Sequence, residues 1–140
     1  MDQSVRDVMT PNPACVGADS SVLDAARLMR EKDIGDVIVM DRDRLCGILT
    51  DRDIVVRALA QGADPARTKA GDVCSRDLAT VKPNASVGQV VHMMRSKAIR
   101  RMPVVEDGGQ VVGIVSIGDL AVERDRRSAL GEISAAPPNV

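Results

Sequence analysis

The sequence predicts an α/β (α+β) fold made of two tandem βαββα units related by pseudo-two-fold symmetry. Three observations point to it: a self-similarity across most of the chain, apolar residues at helical spacing in each copy, and a β-branched hairpin in each copy. Shifting the chain by 65 places sets Asp7 on Asp72, Val8 on Val73, Ala14 on Ala79, Val16 on Val81, Val22 on Val87, Met29 on Met94, Ile34 on Ile99 and Val39 on Val104. One extra residue near Gly108, Gly109 and Gln110 moves the shift to 66, after which Gly47 meets Gly113, Ile48 meets Ile114 and Asp53 meets Asp119. A single insertion at a surface turn leaves the elements on either side intact.

Each copy opens with a short strand, over residues 14–16 and 79–81. A helix follows, with Ser21 and Ser86 as N-caps. Val22, Ala25, Ala26 and Met29 in the first copy, and Val87, Val90, Val91 and Met94 in the second, give each helix one apolar face that should cover a sheet. The β-branched runs 37–40 and 46–50 flank the polar turn 41–44, and runs 102–105 and 111–116 flank 107–110, which predicts two hairpins. A second helix completes each copy, over about residues 51–60 and 117–126. The resulting organisation is a first repeat over 1–62, a linker over 63–69, a second repeat over 70–127 and a C-terminal tail over 128–140.

Composition excludes several classes of function. A chain of 140 residues that is 44% apolar can build a core without an obligatory metal or disulfide. Phe, Tyr and Trp are absent, so any ligand base must lie between aliphatic walls. A net charge of −1, with both signs interspersed, provides no basic face for a phosphate backbone, and no nucleic-acid partner is expected. No apolar run approaches the roughly 18 residues of a membrane span, and Asp2, Arg6 and Asp7 stand where a signal peptide has its apolar segment. A cytoplasmic protein without membrane association is expected. Cys15, Cys46 and Cys74 lack C-x-x-C spacing and His92 has no metal-ligand pattern around it, so neither a metal site nor an obligatory cofactor is expected. With one His and no Ser–His or Cys–His partnership, no catalytic residue is assigned and the chain is not expected to be an enzyme.

Two copies of a G-h-h-[T/S]-x-x-D signature stand at matched positions, Gly47-Ile48-Leu49-Thr50-Asp51-Arg52-Asp53 and Gly113-Ile114-Val115-Ser116-Ile117-Gly118-Asp119. In these motifs, and in Ile99-Arg100-Arg101-Met102-Pro103-Val104, the chain resembles the CBS-domain pair, or Bateman module, over about residues 5–125. The first copy departs from the pattern, with Asp36 where Arg101 stands and Ile38 where Pro103 stands.

A ribose offers two adjacent hydroxyl donors and one carboxylate can accept both, which suits Asp53 or Asp119 at a strand-to-helix junction, with Thr50 or Ser116 close by. A helix beginning there would also favour a phosphate. The same T-x-x-D and S-x-x-D spacing serves a capping box, and capping and binding can coexist. The resemblance implies that each ligand lies in a cleft between the repeats, which gives two unequal sites. The first would join Ile48, Thr50 and Asp53 with Thr80, Val81, Ile99, Arg100, Arg101, Met102 and Pro103, setting guanidinium groups where a phosphate chain could lie. The second would join Ile114, Ser116 and Asp119 with Cys15, Val16, Ile34, Gly35, Asp36 and Val37, where Asp36 repels phosphate, so that this site either stays empty or takes a neutral or cationic adenosyl group.

The implied function is that of a regulatory, signalling module. It would bind AMP, ADP, ATP or an S-adenosyl compound, modulate an unknown downstream protein, and pair as a homodimer through its helices. The alternative is a ligand-independent homodimeric interaction or scaffold protein with vestigial clefts.

Overall fold

The computed structural model describes residues 3–76 and 78–124. Its elements run α1 (Val5–Val8), β1 (Thr10–Pro11), β2 (Cys15–Gly17), α2 (Val22–Lys32), β3 (Asp36–Asp41), β4 (Arg44–Thr50), α3 (Asp51–Asp53), α4 (Ala70–Val73), α5 (Val87–Lys97), β5 (Arg101–Val105), β6 (Val111–Ser116) and α6 (Ile117–Arg124). After α3 the chain continues as a π-helical turn, Ile54–Ala58, and a 3₁₀ turn, Leu59–Gln61. The helix expected over 51–60 is therefore helical throughout but changes its hydrogen-bond pattern. The end of the helix expected over 117–126, and the tail over 128–140, lie outside the described residues.

Capping at the two long helices follows the polar signals in the sequence. The Asp24 N–H donates to Ser21 Oγ at 3.0 Å and the Gln89 N–H to Ser86 Oγ at 3.1 Å, so each serine satisfies a donor that the first helical turn leaves open. Residues 63–69 also serve α2: the Val22 N–H donates to Thr68 O at 2.8 Å and the Leu23 N–H to Pro65 O at 3.0 Å.

The chain divides into two compact units, Pro13–Leu78 and Met1–Asn12 together with Ala79–Val140. Relative to the repeats read from the sequence, the units exchange their opening segments. Val5–Val8 begins the first repeat but packs with the second, and Ala70–Val73 begins the second but packs with the first. Equivalent bonds hold both. The Ala70 N–H donates to Ser20 O at 2.7 Å and the Gly71 N–H to Ala18 O at 3.0 Å; at the positions that the 65-place shift makes equivalent, the Val5 N–H donates to Ala85 O at 2.8 Å and the Arg6 N–H to Pro83 O at 3.0 Å. Helices of one turn carry too little periodicity to be seen in a hydropathy pattern.

In the unit Pro13–Leu78 the sheet order is β2-β3-β4, with β2 parallel to β3 and β3 antiparallel to β4. Its core gathers Val22, Ala25 and Met29 of α2 with Val37, Val39 and Leu49 of the sheet, and Ala70, Val73 and Cys74 of the exchanged segment. The other unit has the antiparallel order β1-β6-β5 over a core of Val5, Val87, Val90, Met94, Met102, Val104 and Val115. Each Val, Leu and Met among these contributes about 1.5–3 kcal/mol on burial.

The strand expected at 79–81 is reduced to one parallel bridge, Val81 with Val104. Proline explains the shortening. In the first copy the Ile38 N–H donates to Ala14 O at 2.8 Å and the Ala18 N–H to Met40 O at 2.7 Å, one bond at each end of the pairing, whereas the residues 65 places on from these donors, Pro103 and Pro83, have no N–H to donate.

The glycine of each repeated signature lies under the exchanged segment. A Cβ on Gly47 would collide with the backbone carbonyl of Ser75 and lie 2.8 Å from Cys74 Sγ. On Gly113 it would collide with the Met9 sulfur, with Met9 Cγ at 2.9 Å and Thr10 O at 3.0 Å. Ser75 is fixed by paired bonds to Ile48, while the obstruction at Gly113 is mostly a flexible thioether. Gly47→Ala should therefore cost about 2–4 kcal/mol of unfolding free energy and Gly113→Ala about 1–2 kcal/mol. Urea unfolding of the two variants checks the order, and equal losses would contradict the asymmetry.

Candidate functional site

Thr50 and Ser116 end β4 and β6, and at both the chain turns directly into helix. At the first junction the Asp53 N–H donates to Thr50 Oγ1 at 3.0 Å while the Thr50 N–H donates to Asp53 Oδ2, also at 3.0 Å. At the second the Ser116 N–H donates to Asp119 Oδ2 at 2.9 Å, the Ser116 hydroxyl to the same oxygen at 3.1 Å, and the Asp119 N–H to Ser116 Oγ at 3.2 Å. The capping box expected from the spacing is formed in both copies. It does not exhaust either carboxylate, which offers about four lone-pair positions.

Each junction lies beside the first hairpin strand of its own unit. Asp36 is opposite Thr50 and Val37 opposite Leu49, and the Asp51 N–H donates to Gly35 O at 3.0 Å. Correspondingly, Arg101 is opposite Ser116 and Met102 opposite Val115, and the Ile117 N–H donates to Arg100 O at 2.9 Å. The two copies thus set opposite charges, Asp36 and Arg101, at one structural position.

Burial sorts the other residues singled out by the sequence. Val37, Val81 and Met102 point into the apolar cores, with exposures of 1%, 7% and 0%, so Met102 can reach a ligand only through its backbone: alternation along β5 turns its side chain inward. Ile48, Pro103 and Ile114 are also buried. Arg100 is exposed, and Ile34, Gly35, Asp36, Val16 and Arg101 are half-buried. Thr80 and Val81 line a depression of about 410 Å³ with Asn84, Gln89 and Met93. Ile99 lines an apolar pocket of about 330 Å³ with Val91, Met94, Ile117 and Leu120. Cys15 is an exposed residue whose sulfur bonds to Pro13 O at 3.3 Å; desolvation raises its pKa, which disfavours the thiolate.

Arg57 was not singled out from the sequence. Its Nε lies 3.8 Å from Asp53 Oδ1 and its Nη1 donates to Val73 O at 3.3 Å, so it ties the first junction to the exchanged segment. The i,i+4 spacing from Asp53 was the available signal. Among the described residues no group of three His, Cys, Asp or Glu side chains could hold a metal ion, and no helix is long and apolar enough to cross a membrane.

Comparison with known proteins agrees with the fold. The family model for the CBS domain matches twice, over residues 5–59 and 70–125. The CBS domain-containing protein YhcV of Bacillus subtilis is 39% identical over 128 residues, covering 91% of this chain and 90% of that protein. Hypoxic response protein 1 of Mycobacterium tuberculosis is 41% identical over 119 residues, covering 84% of this chain and 82% of that protein; a crystal structure of Hypoxic Response Protein I carries two coordinated zinc ions and superposes with a TM-score of 0.75 at 38% identity over 86% of this chain and 98% of that one. The CBS domain pair of protein MJ0100, in complex with 5′-methylthioadenosine and S-adenosyl-L-methionine, superposes with a TM-score of 0.80 at 26% identity over 91% of this chain and all of that one, 100%.

Asp119 has a pH signature. Burial raises its pKa above the ordinary carboxylate value, and the bonds from Ser116 only partly oppose this. The folded state thus holds the proton more tightly than the unfolded chain, so the contribution of Asp119 to stability is greatest below the unfolded pKa. It declines as pH rises to the folded value, then levels off. Asp119→Asn keeps an acceptor for the Ser116 N–H and removes the titration. Unfolding free energies at several pH values should show the wild type losing ground to this variant as pH rises through the carboxylate range; a difference independent of pH would refute the assignment.

Proposed function

The chain belongs to the CBS-domain family, with two copies of the domain, and from that premise we propose that it is a regulatory, non-enzymatic module that binds an adenosine-containing ligand and transmits its presence to a partner protein. The observation that carries this reading is the duplicated junction at which a strand delivers a hydroxyl and, three residues on, a carboxylate with acceptor capacity left after capping. A ribose diol needs such an acceptor. The adenosyl ligands in the related MJ0100 pair support the ligand class.

The proposal gives Thr50 and Asp53 the ribose of a phosphate-bearing ligand, with Arg101 and Arg100 as phosphate partners and Ile48, Thr80, Val81, Ile99, Met102 and Pro103 completing the surroundings, Met102 through its backbone. Ser116 and Asp119, with Ile114, Cys15, Val16, Ile34, Gly35, Asp36 and Val37, would take a neutral or cationic adenosyl group, since a carboxylate at residue 36 repels phosphate. A ligand signals only if it prefers one conformation of the module over another.

A second reading is an interaction protein that acts without ligand. It is favoured by the apolar surface on the turns after Asp53, where Val55, Val56 and Leu59 are 55%, 45% and 52% exposed. Homodimerisation through such a surface is compatible with both readings, and ligand dependence separates them.

The test is thermal unfolding with AMP, ADP, ATP and S-adenosylmethionine in turn. A ligand at 100 times its Kd should stabilise the protein by about 2.7 kcal/mol. Asp53→Asn, which preserves an acceptor for the cap but withdraws the carboxylate, and Arg101→Ala should each abolish most of the nucleotide-dependent shift. An undiminished shift in both variants would overturn the site, and no shift with any of the four compounds would favour the interaction protein.

A further inference from the structure

Cys46 on β4 and Cys74, the residue that ends α4, meet with their sulfurs 4.0 Å apart although 28 places separate them in the chain. Backbone holds the meeting in place. The Ile48 N–H donates to Ser75 O at 3.1 Å and the Ser75 N–H returns to Ile48 O at 2.9 Å, which ties the segment after α4 alongside β4. Between them Gly47 has no side chain, and the Cys74 sulfur lies 2.8 Å from where its Cβ would stand. The glycine of the first signature therefore leaves the room that the Cys74 sulfur occupies.

Both cysteines are free thiols. A disulfide needs its sulfurs at about 2.05 Å, so an approach of about 2 Å is required, shared between two side chains that can rotate about their Cα–Cβ bonds. We propose that Cys46 and Cys74 form a dithiol–disulfide switch whose oxidation bolts residues 70–76 to the strand that leads into Thr50 and Asp53. The inference rests on this contact alone and stands whether or not the junction binds a nucleotide.

The oxidant is a low-molecular-weight disulfide. Cys46, half-buried where Cys74 is only 5% exposed, is the thiol it reaches first. The Cys46 thiolate attacks one sulfur of the oxidant and expels one small thiolate; the Cys74 thiolate then attacks the Cys46 sulfur of the mixed disulfide and expels the second. The two protein thiols give up two electrons and two protons, and the oxidant leaves as two small thiols. Burial, followed by the neighbouring Cys46, pushes the Cys74 thiol up to about 11, while Arg76 pulls it the other way. Burial of Cys74 persists in the mixed disulfide, so closure quickens as pH rises.

Equilibration of the whole chain with oxidised and reduced glutathione, followed by tryptic digestion without reduction, tests the switch. The expected product is a protein lighter by two hydrogens, with peptides 45–52 and 70–76 joined. Its thermal midpoint should rise by about 5–10 °C, reversed by dithiothreitol. Cys46→Ser and Cys74→Ser should each abolish the joined peptide, and mapping of the wild-type protein decides the question even if a variant folds poorly. Glutathione retained on Cys46 at mildly alkaline pH with Cys74 still reduced, a bridge that includes Cys15, or both thiols untouched by the oxidant would overturn it.

Discussion

The constraint on which the rest of the structure depends is a close backbone crossing. In each unit a short segment that begins the other repeat lies across the last strand of the hairpin, bonded to it residue against residue: Ser75 with Ile48, and Thr10 with Ile114. Such a crossing tolerates no side chain beneath it, and both strands place glycine there, Gly47 and Gly113. The glycine and the acid of the repeated signature thus have different duties. One admits the exchanged segment and the other terminates the strand in a capped helix, six residues later in each copy.

That division clarifies the carboxylates. Asp53 and Asp119 are structural residues first, because each accepts the N–H of its own N-cap, and a helix start without that acceptor is weaker by about 1 kcal/mol. The bond to the cap also fixes the carboxylate in orientation, and at Asp53 the second oxygen, Oδ1, faces Arg57 Nε at 3.8 Å. A preorganised acceptor loses less conformational freedom on binding a diol than a free one would. Under the proposed function the same geometry would serve both stability and recognition.

Duplication has not kept the copies equivalent. Arg101 and Asp36 occupy corresponding positions opposite Ser116 and Thr50, and Pro83 replaces the donor that Ala18 supplies to extend the first sheet. Cys74 and Met9 likewise correspond, both lying over a signature glycine, but only Cys74 has a second thiol within contact distance. A shared scaffold has diverged at the side chains that set local charge and chemistry. The backbone bonds that seat the exchanged segments do recur in both halves, Ala70 to Ser20 and Gly71 to Ala18 in one, Val5 to Ala85 and Arg6 to Pro83 in the other.

Much of this was legible in the residues. The repeat offset, the serine caps, the two hairpins and the T-x-x-D and S-x-x-D boxes are local patterns, decided by neighbours a few positions apart, and the structure forms each as read. The inward turn of Met102, the loss of the strand at 79–81 beyond Val81, the Arg57–Asp53 pair and the meeting of Cys46 with Cys74 were not. The sequence by itself determined the two long helices, the two hairpins, their order and their duplication, because periodicity and capping are short-range. Only the tertiary structure decided which unit each opening segment joins and which side chains it brings together, because that choice is made by backbone bonds and glycine-sized gaps between residues distant in the chain, which leave no periodic trace.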